Sequence, residues 1–211
     1  ETAQDYGGPS LAGARVAVQG FGAVGYHAAR LLAEHGTVLV AASDSRGSVA
    51  NADGLDIAKL RATKLEGGSV TNAGEGQAGD TDAIIDADCD IWIPAARPDV
   101  IDAGNQDRLK AKLILQGANI PITHEAEATL AARGVLIIPD FIANAGGVIC
   151  AAVEYAGGTQ TTAMRTIEEK VRRNTRDMLD RARDDVPLPR QAATEMASER
   201  VRAAMALRRD A

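Results

Sequence analysis

Aromatic residues, cysteines and long apolar segments are all scarce in this chain. Aromatic residues make up 3% of its 211 residues, so we expect a core of alanine, valine, isoleucine and leucine. The two cysteines, Cys89 and Cys150, lack the C-x-x-C or Cys/His spacing of metal sites, which predicts reduced thiols, a cytoplasmic location and no metal. No apolar run approaches the roughly 20 residues of a membrane span, and the polar first residues are unlike a secretory signal. We therefore expect no association with a membrane.

Basic residues are also fewer than acidic residues. Acidic residues outnumber lysine and arginine by 29 to 23, which gives a net charge of −6. Because no basic stripe offsets this balance, the sequence disfavours a nucleic-acid partner. Hydrophobic residues at 45% and charged residues at 25% are typical of a globular chain. The length is sufficient for one domain with a substantial core.

One stretch has the pattern of a strand, a glycine-rich turn, a helix and a second strand. The apolar segment 16–19 leads without a spacer into the turn 20–25, which reads G-F-G-A-V-G. A second apolar strand is predicted at 38–42, and Asp44 follows it, 19 residues beyond the last glycine. The predicted helix between the strands has apolar residues at helical spacing, namely Val24, Ala28, Leu31 and Leu32. A strand before and a helix after G-x-G-x-x-G indicate a dinucleotide site.

Each residue of this pattern has a physical role in binding a dinucleotide. Gly20 allows the tight turn, Gly22 lets a pyrophosphate approach the backbone, and Gly25 lets the helix pack close to the sheet. The free N–H groups at the start of the helix hold phosphates. Asp44 can accept hydrogen bonds from the adenosine ribose and repel a 2′-phosphate, which favours NAD over NADP. Arg46 is interpreted mainly as a solvated loop residue, with 2′-phosphate binding as the alternative. The competing hypothesis is a glycine-rich turn that binds no nucleotide.

The rest of the chain continues to alternate between apolar strands and helices. Three more buried strands are predicted at 89–94, 113–116 and 135–139. This rhythm predicts an α/β fold of the Rossmann type, a doubly wound and mostly parallel sheet with helices on both faces and further helices at the carboxyl terminus. Segments 45–54 and 67–79 are polar or rich in glycine and are predicted as loops, with a brief strand at 69–71 in the second.

The carboxyl-terminal part is predicted to be helical. Two long helices are expected at 162–183 and 189–207, separated by Pro187-Leu188-Pro189. The predicted organisation is a lead-in segment at 1–12, a dinucleotide-binding domain at 13–160 and packed helices at 161–211, which together form one domain.

Small and amide side chains follow three of the predicted strands. Ala95 and Ala96 come after one strand, and Asn119 and Asn144 come shortly after the next two. Ligands of open α/β sheets lie beyond the carboxyl ends of the strands, which places these residues along the path of a cofactor. The small side chains of Ala95 and Ala96 would let an adenosine approach, or they are simply small residues in a tight turn. An amide both donates and accepts hydrogen bonds, which suits a ribose or a nicotinamide, although asparagines are also common in turns.

Five segments of the chain form a more specific pattern when they are taken together. They are the fingerprint V-Q-G-F-G-A-V-G at 18–25, S-D-S-R-G at 43–47, P-A-A at 94–96, Q-G-A-N-I-P at 116–121 and P-D-F-I-A-N-A-G-G-V at 139–148. Together they resemble the cofactor domain of the glutamate/leucine/phenylalanine/valine dehydrogenases. The resemblance implies reversible oxidative deamination of an L-amino acid to a 2-oxo acid and ammonia, with a nicotinamide cofactor. It implies cofactor contacts for Gly20, Phe21, Gly22, Ala23, Val24, Gly25, Asp44, Ser45, Arg46, Ala95, Ala96, Asn119 and Asn144.

The resemblance also implies how the reaction is divided between domains. Asn119 is expected near the pyrophosphate and nicotinamide ribose, and Asn144 near the nicotinamide, with Val148 and Ala151 on the substrate side. The catalytic lysine and aspartate of the family belong to an amino-terminal substrate domain whose motifs are absent from this sequence. We therefore expect no catalytic residue in this chain, no activity from it alone, and a homo-oligomer for the full-length protein. Glutamate-specific members have a serine where Ala151 stands, which favours an apolar substrate.

Two other functions are compatible with parts of the pattern. A hydroxy-acid dehydrogenase would need a catalytic histidine beside the cofactor, and the three histidines lie within or at the end of the first helix (His27, His35) and near a later helix start (His124). A stand-alone nucleotide-sensing module without catalysis is the second alternative. The paired G-A-N-x-P and N-A-G-G-V motifs argue against it.

Overall fold

The computed structural model describes residues 1–184 and 188–207. The predicted break at Pro187 and the last four residues of the predicted helical segment lie outside the described residues. The chain forms two compact units, one of 3–140 with Glu1 and one of Thr2 with the residues from Phe141 onward. The division at 13–160 and 161–211 stays a prediction about folding units.

A seven-stranded sheet forms the centre of the first unit, and its strand order is β4-β3-β2-β1-β5-β6-β7. Strands β1, β2, β5, β6 and β7 pair in parallel, which confirms the Rossmann-type α/β prediction. The chain runs outward from β1 through β2 and then returns to β5 on the other side of β1. The strand bounds are Arg15–Gln19 (β1), Val38–Asp44 (β2), Gly47–Ala50 (β3), Gln77–Gly79 (β4), Ile91–Pro94 (β5), Leu113–Leu115 (β6) and Leu136–Ile138 (β7).

The edge of the sheet beyond β2 departs from the prediction. Strands β3 and β4 lie within segments predicted as loops, and both pair antiparallel. Both sequences are short and carry no alternating apolar pattern, so only pairing makes them strands, β3 with β2 and β4 with β3. The brief strand predicted at 69–71 is wrong. Its residues enter a 3₁₀ turn at Val70–Asn72, because the Ser69 hydroxyl accepts from the Thr71 N–H at 3.3 Å and the Asn72 side chain accepts from the Ser69 N–H at 2.8 Å.

Helix α1 packs on the sheet through a different face from the predicted one. Its buried residues are Gly25 and Ala29, whereas the side chains of Val24 and Leu31 are 52% and 45% exposed. Gly25 faces β1, where an added Cβ would lie 2.7 Å from Val18 Cγ1, so the absence of a side chain at this position allows α1 to pack against the strand. The helices are Ala23–Ala33 (α1), Ile57–Leu65 (α2), His124–Ala132 (α3), Asp140–Ala143 (α4), Gly146–Tyr155 (α5), Gln160–Asp184 (α6) and Pro189–Leu207 (α7).

The core of the first unit is mainly aliphatic, and Trp92 lies in its main cluster. Trp92 is fully buried, and its indole N–H donates to the Ile84 carbonyl at 3.3 Å. Ile114, Ile137 and Leu130 pack in the same cluster. In the second unit, α6 and α7 pack together over a buried stripe that includes Met178, Leu179, Ala192, Ala193 and Met196. None of the described helices is long and apolar enough to cross a bilayer.

Candidate functional site

A cleft of about 620 Å³ opens at the carboxyl ends of β1, β2 and β5. This is the point where the chain reverses direction across the sheet, and ligands of open α/β sheets bind there. The volume lies within the range of roughly 300–1,000 Å³ usual for ligand sites. Seven residues expected from the sequence line this cleft, namely Gly20, Phe21, Gly22, Asp44, Ser45, Ala95 and Ala96.

The three glycines of the fingerprint meet three different steric demands. Gly20 has φ +95°, and a Cβ there would lie 2.5 Å from the Ala96 Cβ. A Cβ on Gly25 would lie 2.2 Å from the Gly20 carbonyl oxygen and 2.7 Å from Val18 Cγ1. A Cβ on Gly22 would have no heavy atom within 4 Å. Gly20 and Gly25 therefore allow close packing within the protein, while Gly22 faces open space that a ligand can occupy.

The first turn of α1 supplies backbone donors beside this open space. Gly22 is its N-cap and has no side chain to bond the first N–H groups of the helix. The N-terminus of a helix carries partial positive charge together with these free N–H groups. A phosphate group is the ligand that such an arrangement favours.

The Asp44 carboxylate accepts four hydrogen bonds from the protein itself. Oδ1 accepts from the Arg46 N–H and the Ser69 hydroxyl, each at 2.9 Å. Oδ2 accepts from Lys64 Nζ at 2.7 Å and from the Val70 N–H at 3.0 Å. A carboxylate offers about four lone-pair sites, so this set of partners fills its capacity. The role of Asp44 as a ribose acceptor stays a prediction, and it would require exchange of one of these bonds.

Two opposing effects set the pKa of Asp44. Burial alone would raise this pKa, because only 6% of the side chain is exposed. The hydrogen bonds from Lys64, from the Arg46 and Val70 N–H groups and from Ser69 outweigh burial and lower the pKa to about 2. The carboxylate is therefore ionised at neutral pH, and the Lys64 ammonium offsets its charge.

Sequence reasoning missed several residues that line the same cleft. They include Gln19, Lys64, Thr81, Asp82, Arg97 and Val100. Lys64 sits in the last turn of α2, 20 residues after Asp44, and no local pattern connects the two. Gln19 lies inside the fingerprint at 18–25 and Arg97 follows the P-A-A segment at 94–96, so these motifs were the signal that could have identified both residues.

The other expected site residues occupy different surroundings. Ala23, Val24 and Gly25 belong to α1 and do not line the cleft. The Arg46 guanidinium donates to the Gly67 carbonyl at 2.9 Å. Asn119 lies in the turn after β6, where the Ala118 N–H donates to the Pro94 carbonyl at 2.8 Å and ties this turn to the end of β5. None of the three histidines, all within the described residues, lines the cleft.

The expected substrate-side residues belong to the second unit. Asn144 precedes α5, and Val148 and Ala151 lie on it. Val148 is 78% exposed, and no residue of α5 is buried. Among the described residues, no cluster of three or more His, Cys, Asp or Glu side chains could hold a metal ion.

Comparisons with known proteins identify relatives of this chain. The family model described as glutamate/leucine/phenylalanine/valine dehydrogenase matches residues 1–209. The chain is 42% identical over 208 residues to a glutamate dehydrogenase of Aeropyrum pernix, covering 94% of this chain and 50% of that protein. It is 38% identical over 205 residues to the NADP-specific glutamate dehydrogenase A1 of Halobacterium salinarum, covering 93% of this chain and 49% of that protein.

A solved structure extends the similarity to three dimensions. The hetero-hexameric glutamate dehydrogenase of Thermus thermophilus superposes with a TM-score of 0.85 at 27% identity. The match covers 98% of this chain and 50% of that one. The chain therefore spans about half the length of these relatives.

Proposed function

The chain belongs to the glutamate/leucine/phenylalanine/valine dehydrogenase family, and we propose that it is the cofactor-binding part of an NAD(P)-dependent L-amino-acid dehydrogenase. The reaction is the reversible oxidative deamination of an L-amino acid to a 2-oxo acid and ammonia. The observation that carries the proposal is the cleft at the carboxyl ends of β1, β2 and β5, where Gly22 leaves open space beside the free N–H groups of α1.

The residues of this chain hold and orient the cofactor. A bound nicotinamide dinucleotide supplies hydride transfer to or from the α-carbon of the substrate. The first turn of α1 binds the pyrophosphate, and the small side chains of Ala95 and Ala96 leave room beside the glycine turn. Correct orientation of the reacting atoms is the contribution of this part to the rate. Asn119 and Asn144 are assigned to the nicotinamide half by position within their motifs.

The surroundings of Asp44 argue for NADP rather than the NAD expected from the sequence. The carboxylate is saturated by protein donors, and Lys64 offsets its charge. Lys64 and Ser45 line the cleft together with Asp44, so the acid is paired with an ammonium and has a hydroxyl beside it, whereas an unpaired acid was expected. These groups favour a 2′-phosphate, which an ammonium binds as a point charge. The Halobacterium salinarum relative is named as NADP-specific, which supports this preference.

Proton transfer and most substrate contacts are assigned to residues outside this chain. We propose that the full-length protein is a homo-oligomer, and that Asn144, Val148 and Ala151 face its substrate. The relatives are named as glutamate dehydrogenases, so glutamate is the first substrate to test. Ala151 has no hydroxyl to bind a side-chain carboxylate, so amino acids with apolar side chains are the second.

Calorimetric titration of the chain with NADPH and NADH tests the proposal. We expect both to bind, NADPH more tightly, and Gly22→Ala to raise both dissociation constants about tenfold because its methyl group enters the space left for the pyrophosphate. Gly104→Ala, in an exposed turn that does not line the cleft, is the control for the general effect of replacing glycine. The proposal would be contradicted if the folded chain bound neither NADPH nor NADH.

A further inference from the structure

Two residues adjoining the cleft have a backbone conformation that side chains disfavour. Among the described residues, Asp99 with φ +49° and Ile120 with φ +47° are the only non-glycine residues at positive φ. A β-branched residue such as isoleucine is a genuine outlier in this region. Asp99 follows β5 and Ile120 follows β6, so both strained residues lie at the carboxyl edge of the sheet.

The two strained residues are bonded to each other. The Asp99 N–H donates to the Ile120 carbonyl at 2.9 Å, and the next N–H, that of Val100, donates to the Pro121 carbonyl at 2.8 Å. Arg97 and Val100 line the cleft. These two hydrogen bonds therefore connect the turn at Ile120 to the segment that forms one wall of the cleft.

A buried carboxylate holds Ile120 in place from the other side. Asp140 Oδ2 accepts the Ile120 N–H at 2.8 Å, and Asp140 is 6% exposed. The Asp140 N–H donates to Gln116 Oε1 at 3.1 Å, and Gln116 Nε2 donates to Glu127 Oε2 at 3.4 Å. Gln116 is fully buried and Glu127 is 4% exposed. The hydrogen bond to Gln116 thus anchors the Asp140 backbone in the first unit, and the Asp140 carboxylate bonds the turn at Ile120.

We propose that Asp140 is a positioning residue for dinucleotide binding. Its carboxylate holds Ile120 at positive φ, which fixes Asn119 next to it and, through Asp99 and Val100, the wall of the cleft. Strain of this kind persists only where surrounding contacts impose it, and it concentrates at ligand sites. The inference rests on the proposed function for its ligand, but the anchoring of the turn can be measured without any ligand.

The test combines amide hydrogen exchange with titration of NADPH. In Asp140→Ala we expect the Asp99 and Val100 amides to exchange at least about tenfold faster and the dissociation constant for NADPH to rise about tenfold, because a charge-assisted hydrogen bond is lost. Asp140→Asn keeps an oxygen that can accept the Ile120 N–H, so its dissociation constant should stay within about threefold of the original. Adding Ile120→Gly to Asp140→Ala should recover binding, because glycine adopts positive φ without strain.

Leu130→Ala is the control for a loss of stability alone. Leu130 is fully buried on α3, so its truncation destabilises the same unit without removing a bond from the turn. The inference is overturned if Leu130→Ala weakens NADPH binding as much as Asp140→Ala, or if Asp140→Ala leaves both exchange and binding unchanged.

Should Asp140→Ala fail to fold, the double variant decides, since recovered folding supports the anchor and continued unfolding contradicts it. A folded wild-type chain that binds neither NADPH nor NADH would contradict the proposed function, while exchange at Asp99 still decides whether Asp140 anchors the turn.

Discussion

Lys64 Nζ lies 2.7 Å from Asp44 Oδ2, and 6% of the Asp44 side chain is exposed. The pair joins the last turn of α2 to the carboxyl end of β2. The pair changes the role of the acid after β2, because the carboxylate stabilises the structure around the cleft and the ammonium cancels the negative charge that the acid alone would give the lining.

The first prediction concerns this ammonium. Lys64→Met keeps the length of the side chain and removes its charge, so we expect the dissociation constant for NADPH to rise about tenfold and that for NADH to change little. Lys59→Met, which removes a lysine of the same helix paired with Glu75 outside the cleft, is the matched control. Equal losses for both dinucleotides in a calorimetric titration would contradict the assignment of Lys64 to the 2′-phosphate.

The second prediction concerns stability in acid. The folded pKa of Asp44 is about 2, against an ordinary value of 3.8. Because the folded value is depressed, the contribution to stability is fully present above pH 4 and is lost as the pH falls towards 2. This difference corresponds to about 2 kcal/mol. Between pH 5 and pH 2, the free energy of unfolding measured in urea should fall in both proteins. In Asp44→Asn this fall should be smaller than in the original protein by about 2 kcal/mol. Parallel pH profiles for the two proteins would show that Asp44 is not the group responsible.

The third prediction concerns the approach of α1 to the sheet. A Cβ at Gly25 would lie 2.2 Å from the Gly20 carbonyl oxygen, so the backbone of the turn would have to move. We expect Gly25→Ala to lower the free energy of unfolding by about 1–3 kcal/mol and to weaken binding of both dinucleotides. Gly22→Ala meets no protein atom within 4 Å and should leave stability nearly unchanged. Denaturant unfolding of the two variants therefore distinguishes the glycine needed for close packing, Gly25, from the glycine that leaves space for a ligand, Gly22.

The fourth prediction concerns Trp92, the single tryptophan of the chain. Trp92→Phe removes the hydrogen bond to the Ile84 carbonyl and leaves space in a fully buried site. We expect a loss of about 1–3 kcal/mol, measured by circular dichroism because the variant has no tryptophan fluorescence. Tyr155→Phe, at a side chain that is 97% exposed, is the control and should be neutral. A neutral effect of Trp92→Phe would contradict the tight packing of this core.

The sequence by itself determined the parallel part of the fold and the centre of the site. Strands β1, β2, β5, β6 and β7 are apolar runs that need burial on both faces, and the glycine fingerprint encodes its own turn. These signals are local, so each can be recognised from a few consecutive residues. The sequence also identified Gly20, Gly22 and Asp44, which the structure places together in the cleft.

Only the tertiary structure decided the partners of those residues. Strands β3 and β4 have too little apolar pattern to be recognised before β3 pairs with β2 and β4 pairs with β3. Lys64 meets Asp44 because the last turn of α2 lies at the carboxyl end of β2, and Asp140 reaches Ile120 because β6 and β7 are neighbours. Each of these contacts joins residues 20 positions apart in the chain. Their energy comes from burial and hydrogen bonding that exist only after folding, so no local pattern in the sequence could reveal them.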